Sequence, residues 1–182
     1  MRKQKEIDTK VESGMKNFVI TIGREFGSGG HNLGKSLAKE LGIPCYDRHL
    51  IEEAAVCGGF KMEELEEADE MKANRFLFKV PAKCNPFTGY GKPMNDTLFV
   101  VQSQLIREYA KKGPCIIVGR CADKILEETE GLISLFIYAP MEARVKEIMR
   151  RYETDEKEAE YLIKQADKIR KNYYNFYAKK TW

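Results

Sequence analysis

The chain has 182 residues, of which 43% are apolar and 32% are charged, with a net charge of +3. This length is typical of one domain with one core, the composition excludes wholesale disorder, and the near balance of charge excludes a chain-wide basic field for nucleic acid or a membrane. We predict a flexible tail over residues 1–17 and a single domain over residues 18–182.

The cysteine pattern and the lengths of the apolar runs indicate the cellular compartment of the protein. The five cysteines form an odd set without a Cys-x-x-Cys pair, which is typical of reduced thiols rather than of disulfides or a zinc site. The first residues lack the apolar stretch of a signal peptide, and no apolar run approaches the ~20 residues of a membrane span. We therefore expect a cytoplasmic protein with no membrane partner, and no pattern indicates an oligomeric state.

The first predicted unit is a strand, a glycine-rich loop and a helix. Residues 18–22 form a nearly continuous apolar run, which is typical of a parallel strand covered on both faces. Apolar residues then recur at helical spacing over residues 32–41, and a glycine ends that helix. A short second strand over residues 43–46 and a helix over residues 48–57 continue the alternation.

Strands and helices also alternate in the rest of the chain. After an acidic segment, the sequence is rich in proline and glycine, and we interpret residues 58–95 as an insertion. The later patterns predict a helix over residues 96–111, strands over 115–118 and 132–138, and helices over 140–152 and 156–177. Thr154 or Asp155 is expected to cap the last helix. This order predicts an α/β fold with a parallel, doubly wound sheet.

The glycine-rich loop spans residues 23–32, between the first strand and the first helix. At such a turn, backbone N–H groups converge on an anion at a helix N-terminus, and glycines let the main chain approach closely. The residues predicted to hold phosphates are Gly27, Ser28, Gly29, Gly30, His31 and Asn32. A Walker A pattern would place a lysine at Gly30, so we expect its charge to come from Arg24, His31 or elsewhere. The alternative is a tight connection that holds no ligand.

Five segments together resemble the cytidylate kinase-like family. They are residues 20–30, 46–48, 95–96, 113–123 and 139–144. The resemblance covers most of residues 18–182 and implies a three-layer P-loop NTPase-type fold, with a loop-rich insertion on the acceptor side and a helical lid over about residues 150–180. It implies ATP with Mg²⁺ as phosphoryl donor and a nucleoside monophosphate, CMP or dCMP above all, as acceptor. It also implies one further strand after residue 182, without which an edge of the sheet is uncovered.

Phosphoryl transfer requires positioning and positive charge, so arginines are the first candidates. Arg120 follows a predicted strand at the carboxyl edge of the sheet, where open α/β folds bind ligands. The resembling kinases use a Gly-Arg-Asp sequence there to contact the acceptor, and Gly119 with Arg120 matches it except for the acid. Asp47 and Arg48 end the second strand, where Asp47 resembles the acidic residue near the acceptor. The alternatives are a surface salt bridge for Arg120 and helix capping for Asp47.

The last predicted helix carries a second set of candidates. Asp167 and Arg170 resemble the lid signature in which an acidic residue and a following arginine close over the phosphates. A solvated basic helix face is the alternative. The predicted catalytic residues are Arg24, Arg120, Asp167 and Arg170, and the predicted substrate-binding residues are Asp47, Arg48, Gly119, Arg120 and Arg144. No residue is identified as a metal ligand.

Two other functions compete with phosphotransfer. A P-loop protein without the expected lysine could bind a nucleotide or phosphorylated metabolite without turnover. The aromatics Tyr173, Tyr174, Phe176, Tyr177 and Trp182 stand among lysines and arginines, a composition that could stack single-stranded nucleic acid. Because Tyr173, Phe176 and Tyr177 share one helical face, packing on the domain explains them more simply. We therefore favour small nucleotides as ligands.

Overall fold

The architecture is described for residues 17–47 and 94–182 in a computed structural model. The described elements are β1 (Val19–Arg24), α1 (Gly30–Leu41), β2 (Cys45–Tyr46), α2 (Met94–Lys112), β3 (Cys115–Val118), α3 (Ala122–Ile125), β4 (Leu132–Ile137), α4 (Met141–Tyr152) and α5 (Glu156–Ala178). Strands and helices therefore alternate as the sequence predicts. The tail, the predicted helix over residues 48–57 and nearly all of the insertion lie outside the described residues.

The described strands form one parallel sheet in the order β2-β3-β1-β4. Strands β1 and β3 lie at its centre, and their apolar residues are buried as expected for strands covered on both faces. In the register of the sheet, Ile22 pairs with Val118 of β3 and with Leu135 of β4. Strand β4 lies at an edge of the described sheet, where Ile133 is 40% exposed. This arrangement confirms the predicted α/β fold with a parallel sheet.

Helices cover both faces of the sheet. Alternate residues of a strand point to opposite faces, so the apolar central strands present side chains to helices on each face. On one face, Ile22 and Val118 pack with Ala38 of α1. On the other face, Ile117 packs with Ile106 of α2. Full burial of one such aliphatic side chain contributes about 1.5–3 kcal/mol. The two helical layers therefore hold the ends of the central strands, from which the candidate site is built.

Helices α4 and α5 pack against each other and against the loop that follows β1. Ile148 of α4 and Ile163 of α5 are fully buried, in one cluster with Phe26 of the loop. The carboxylate of Asp155 caps α5 by accepting a hydrogen bond from the Glu158 N–H at 2.9 Å. Of the two caps that the sequence allowed, Asp155 is the one that the structure uses.

The short helix α3 was not predicted from the sequence. It follows a turn in which Gly119, Arg120 and Cys121 all have positive φ, of 79°, 59° and 54°. A helix of four residues is too short to produce an apolar periodicity, so no pattern marks it. Left-handed backbone at a residue other than glycine costs about 1–3 kcal/mol, so the surrounding structure must hold this turn.

Candidate active site

The glycine-rich loop joins β1 to α1 and leaves the start of that helix open. Gly29 is the N-cap, with a φ of 83° that favours glycine, and no side chain of the described residues caps the helix. The Ser28 hydroxyl turns back instead and donates to the Glu25 carbonyl at 2.9 Å. The first N–H groups of α1 and the positive end of its dipole are therefore available to an anion.

Arg24, the last residue of β1, extends from the glycine loop to the end of β3. A Cβ atom at position 30 would lie 2.6 Å from the Cβ of Arg24, so Gly30 allows the arginine stem to pass. At the other end, a Cβ atom at position 119 would overlap the Arg24 guanidinium group. The lysine of a Walker A loop would stand at position 30, and in this chain the stem of Arg24 lies against that position.

A cleft of about 310 Å³ opens between β1, β3, β4 and the second half of α5. Three arginines line it, namely Arg24, Arg120 and Arg170. The left-handed turn after β3 carries Arg120, and Arg170 Nη1 donates to the main-chain carbonyl of Arg24 at 3.4 Å. Side chains from three separate segments of the chain thus bring positive charge to one cavity.

The rest of the cleft lining includes hydroxyl groups and aromatic rings. Thr21 and Ser134 contribute the hydroxyl groups, whose oxygens lie 3.0 Å apart. The aromatic rings of the lining include those of Phe136 and Trp182, which meet edge to face with their centroids 5.2 Å apart. Such a combination of cations, hydroxyls and aromatic rings suits a ligand that has both a flat ring and an anionic group.

A tyrosine of α5 ties the cleft to α3. The Tyr174 hydroxyl donates to Asp123 at 2.5 Å, and both residues line the cleft. Burial raises the pKa of Tyr174, and the hydrogen bond to the Asp123 carboxylate raises it further. The phenol is therefore held in its neutral form, as a donor, over the range in which proteins function.

A second group of charged side chains lies on the other side of the loop, around Arg144 of α4. Arg144 is 4% exposed, and its guanidinium contacts both Glu25, at 2.9 Å, and Asp167 of α5. Its Nε also donates to the Phe26 carbonyl at 2.8 Å. We call Glu25, Phe26, Arg144 and Asp167 the loop clamp. Neither Arg144 nor Asp167 lines the cleft.

The structure joins two further predicted residues near β2. His31 Nδ1 of α1 lies 2.7 Å from Asp47 Oδ2, and the Asp47 side chain is 19% exposed. One residue of this pair was predicted to bind the cofactor and the other the substrate, and the structure brings the two side chains into contact. Arg48, the next residue in the chain, lies outside the described residues.

Apart from the other residues of the glycine-rich turn, the predicted site residues that the structure describes fall into three groups. Gly119 and the three arginines share the cleft, His31 and Asp47 form a pair, and Arg144 with Asp167 belongs to the loop clamp. The glycine-rich turn predicted to bind phosphate, residues 27–32, adjoins the cleft through Arg24 without lining it.

Sequence reasoning missed Glu25, Asp123 and Tyr174, which all make specific contacts here. Glu25 directly follows a predicted site residue, and Asp123 lies three positions after Arg120, which were the available signals.

The aromatic residues of α5 also pack on the domain. Tyr177 stacks on Phe99 of α2 with ring centroids 4.0 Å apart, and Tyr173 meets the same ring edge to face. Phe176 remains 58% exposed. Packing thus occupies most of the aromatic face that was considered as a platform for nucleic acid.

The described residues contain no ready-made metal cage, since within residues 17–47 and 94–182 no three histidine, cysteine or acidic side chains are grouped to hold an ion. Magnesium in kinases is bound largely by substrate phosphates and water, with one or two carboxylates, so a cage is not required. Among the helices that the structure describes, none is long and apolar enough to cross a membrane.

The fold and the site define an α/β protein in which a glycine-rich loop connects the first strand to a helix beside an arginine-lined cleft. The model of the cytidylate kinase-like family matches residues 19–182, and the chain belongs to that family. This match confirms the resemblance found in the sequence.

The chain is also similar to the crystal structure of an uncharacterized protein from Eubacterium ventriosum ATCC 27560. The two share 32% identity with a TM-score of 0.66, over 91% of this chain and 81% of that chain. No curated protein matches the chain. The family is kinase-like, which supports small nucleotides as ligands at a general level.

Proposed function

We propose that this protein is a phosphotransferase that moves the γ-phosphoryl group of ATP to a nucleoside monophosphate, with CMP and dCMP as the favoured acceptors. The main support is that Arg24, Arg120 and Arg170 line one cleft beside the open N-terminus of α1. Transfer of a phosphoryl group needs little from a protein beyond positioning and preorganised positive charge. The acceptor preference rests on membership of the cytidylate kinase-like family.

In this proposal, the donor phosphates lie on the main-chain N–H groups of residues 27–32. The helix dipole and the amides favour an anion there, and glycine at three of these positions, Gly27, Gly29 and Gly30, lets the phosphates approach the backbone. Arg24 takes over the charge that a lysine at position 30 would supply, because its stem passes that position. Arg170 of α5 also lines the cleft and adds a further positive charge.

The acceptor lies between Arg120 and Asp47. The planar guanidinium of Arg120 matches two phosphate oxygens at once, while Asp47 accepts hydrogen bonds from a sugar hydroxyl or from metal-bound water. His31, which contacts Asp47, lies in the first turn of α1 beside this subsite. We assign Gly119 and Arg48 to the same subsite on the basis of the sequence resemblance.

Magnesium would enter with the donor nucleotide. When bound there, it would supply positive charge that offsets the negative charge developing on the transferring group. The Asp47 carboxylate contacts His31 at the start of α1. It is our candidate to hold a water molecule of the magnesium ion.

Binding without turnover is the competing function, and one observation favours it. Position 30 carries no side chain, and the stem of Arg24 lies against it, so no lysine reaches the outer phosphates from this turn. If the charge of Arg24 is not equivalent to that of the missing lysine, the protein binds nucleotides but transfers phosphate poorly.

A steady-state assay separates the two functions. The full chain is mixed with ATP, Mg²⁺ and one monophosphate at a time from CMP, dCMP, UMP, AMP and GMP, and ADP formation is measured beside a reaction without acceptor. We expect acceptor-dependent ADP formation that is fastest with CMP or dCMP. Thermal stabilisation by nucleotides without any acceptor-dependent turnover would establish the binding function instead.

A further inference from the structure

We infer that Arg144 is a positioning residue that fastens the glycine loop to the helix pair α4–α5, and that Asp167 shares this role. The inference rests on the proposed function, because it assigns to these two residues the task of holding the phosphate-binding turn in shape. It differs from the sequence expectation, in which Arg144 binds substrate and Asp167 acts in catalysis.

The three contacts of Arg144 all aim at the start of the loop or at α5. One terminal nitrogen lies 2.9 Å from Glu25 Oε2, and the other contacts Asp167. Nε donates to the Phe26 carbonyl at 2.8 Å. A planar guanidinium offers five N–H donors in a fixed geometry, so a single side chain can satisfy three acceptors at once.

Asp167 completes the attachment of Phe26. One oxygen of its carboxylate accepts the Phe26 main-chain N–H at 2.7 Å, while the other meets Arg144. Both polar groups of the Phe26 backbone are therefore bound to α4 and α5. Its ring is buried with Ile148 and Ile163 of the same two helices. Phe26 is thus the point at which the loop is anchored, through its backbone and its side chain.

Charge matching explains why an arginine can occupy this buried position. Transferring a lone guanidinium to the interior is costly, but two carboxylates and a carbonyl surround this one. Glu25 is held in turn, since its Oε2 accepts the Ala139 N–H at 3.3 Å. A group bound from so many sides has a single geometry, which is the property that a positioning residue needs.

The clamp also couples the loop to the cleft. Asp167 and Arg170 lie three positions apart on α5, so they share a face of that helix. Asp167 holds the loop, while Arg170 lines the cleft and donates to the carbonyl of Arg24. A displacement of α5 that withdraws Arg170 from the cleft must therefore stretch the bonds at Phe26. We infer that the turn and this cleft arginine keep their relative positions through the clamp.

The test compares Arg144→Lys and Asp167→Asn with the control Arg150→Ala in the full chain. Lysine keeps the charge of Arg144 but cannot reach three acceptors, and asparagine keeps an acceptor for the Phe26 N–H but removes the ion pair. Arg150 lies on the same helix, 72% exposed, and pairs with Glu147 within the helix. Amide hydrogen exchange and binding of inorganic tripolyphosphate are measured for each variant.

We expect Arg144→Lys to raise the exchange rates of residues 26–31 by about tenfold or more, well beyond any rise in β1 and β3. Tripolyphosphate should bind about tenfold more weakly to this variant, and Asp167→Asn should give a smaller change in the same direction. Arg150→Ala should match the wild type in both measurements.

Unchanged exchange over residues 26–31 in both variants would overturn the inference, as would an increase spread evenly over the whole domain. If Arg144→Lys does not fold, Asp167→Asn decides on the same criteria. If the wild type neither binds tripolyphosphate nor transfers phosphate, the proposed function fails, and the exchange rates alone then decide whether the clamp positions the loop.

Discussion

The loop clamp and the cleft both contain arginine, but they match its charge differently. In the clamp, Arg144 is almost fully buried between the carboxylates of Glu25 and Asp167. In the cleft, the lining carries three arginines and, among the described lining residues, one acidic side chain, that of Asp123. An arginine between two carboxylates holds protein segments together, whereas an excess of arginines around a cavity is suited to an anion from outside. The sequence alone does not separate the two uses.

The largest expected difference between the clamp and the cleft is in how much the loss of an arginine lowers the stability of the protein. Arg144→Met should lower the free energy of unfolding by about 3–5 kcal/mol, because it leaves two carboxylates without their buried partner. Urea unfolding followed by circular dichroism measures the change. Arg170→Met provides the comparison within the cleft, and a loss equal to that of Arg144→Met would contradict the division into two regions.

Turnover, in contrast to stability, should depend mainly on the arginines of the cleft. Arg120→Ala and Arg170→Ala are each expected to lower kcat by more than tenfold, on the order of a hundredfold, since each removes a positive charge from the transferring group. Both variants should remain folded, as judged by circular dichroism.

Arg120→Lys sharpens the same test, because it keeps the charge but loses the planar fork. Intermediate turnover in this variant would show that geometry matters in addition to charge. Unchanged kcat in both alanine variants would remove the cleft from the mechanism.

A lysine placed at position 30 should not repair the loop. Gly30→Lys is expected to lower kcat/KM by roughly tenfold, because any side chain there must displace the stem of Arg24. The double variant Arg24→Ala with Gly30→Lys should recover part of the loss, since the stem is then absent. Faster turnover of the single Gly30→Lys variant than of the wild type would show that Arg24 does not take the place of that lysine.

The smallest expected effect concerns the bond between Tyr174 and Asp123. Tyr174→Phe should lower the free energy of unfolding by about 1 kcal/mol at neutral pH. Burial and the Asp123 carboxylate raise the pKa of Tyr174 above its ordinary value of 10.0. Above that pH the unfolded chain loses the phenolic proton while the folded chain keeps it, so the stability of the wild type falls as the pH rises.

The free energy of unfolding, measured from pH 7 upward, tests this predicted fall in stability. The Tyr174→Phe variant should lose stability less steeply than the wild type above a pH of about 10. Tyr161→Phe, at an exposed position of the same helix, should retain the slope of the wild type. A steeper loss in Tyr174→Phe would contradict the assigned hydrogen bond.

The central part of the fold could be predicted from local patterns. The apolar runs at β1 and β3 are long enough to mark buried strands, and the two candidate caps at positions 154 and 155 marked the start of α5. Helix α3 could not be predicted, because four residues contain no periodicity and the left-handed turn before it involves Arg120 and Cys121 rather than glycine alone. Local signals thus specify elements but not the turns that direct side chains into a cleft.

The candidate site was only partly predictable for a related reason. The resemblance made Arg144 and Asp167 candidate site residues, but their contact depends on how α4 folds back on α5. The bond from Arg144 to Phe26 spans 118 positions of the chain, and no short-range pattern carries such information. One signal was available, since Arg144 precedes buried Val145 and lies four positions before buried Ile148. An arginine on the apolar face of a helix has to find partners inside the protein.

The path of Arg24 constrains how this loop could change during evolution. Its stem passes Gly30 and its guanidinium group passes Gly119, so two positions of the loop and one position about 90 residues later share one volume. A mutation that enlarges either glycine meets the arginine first, and a smaller residue at position 24 has to arise before a lysine at position 30 is tolerated. A change to a lysine-bearing loop therefore requires substitutions in a set order, and lineages that carry an arginine at position 24 should retain a small residue at position 30.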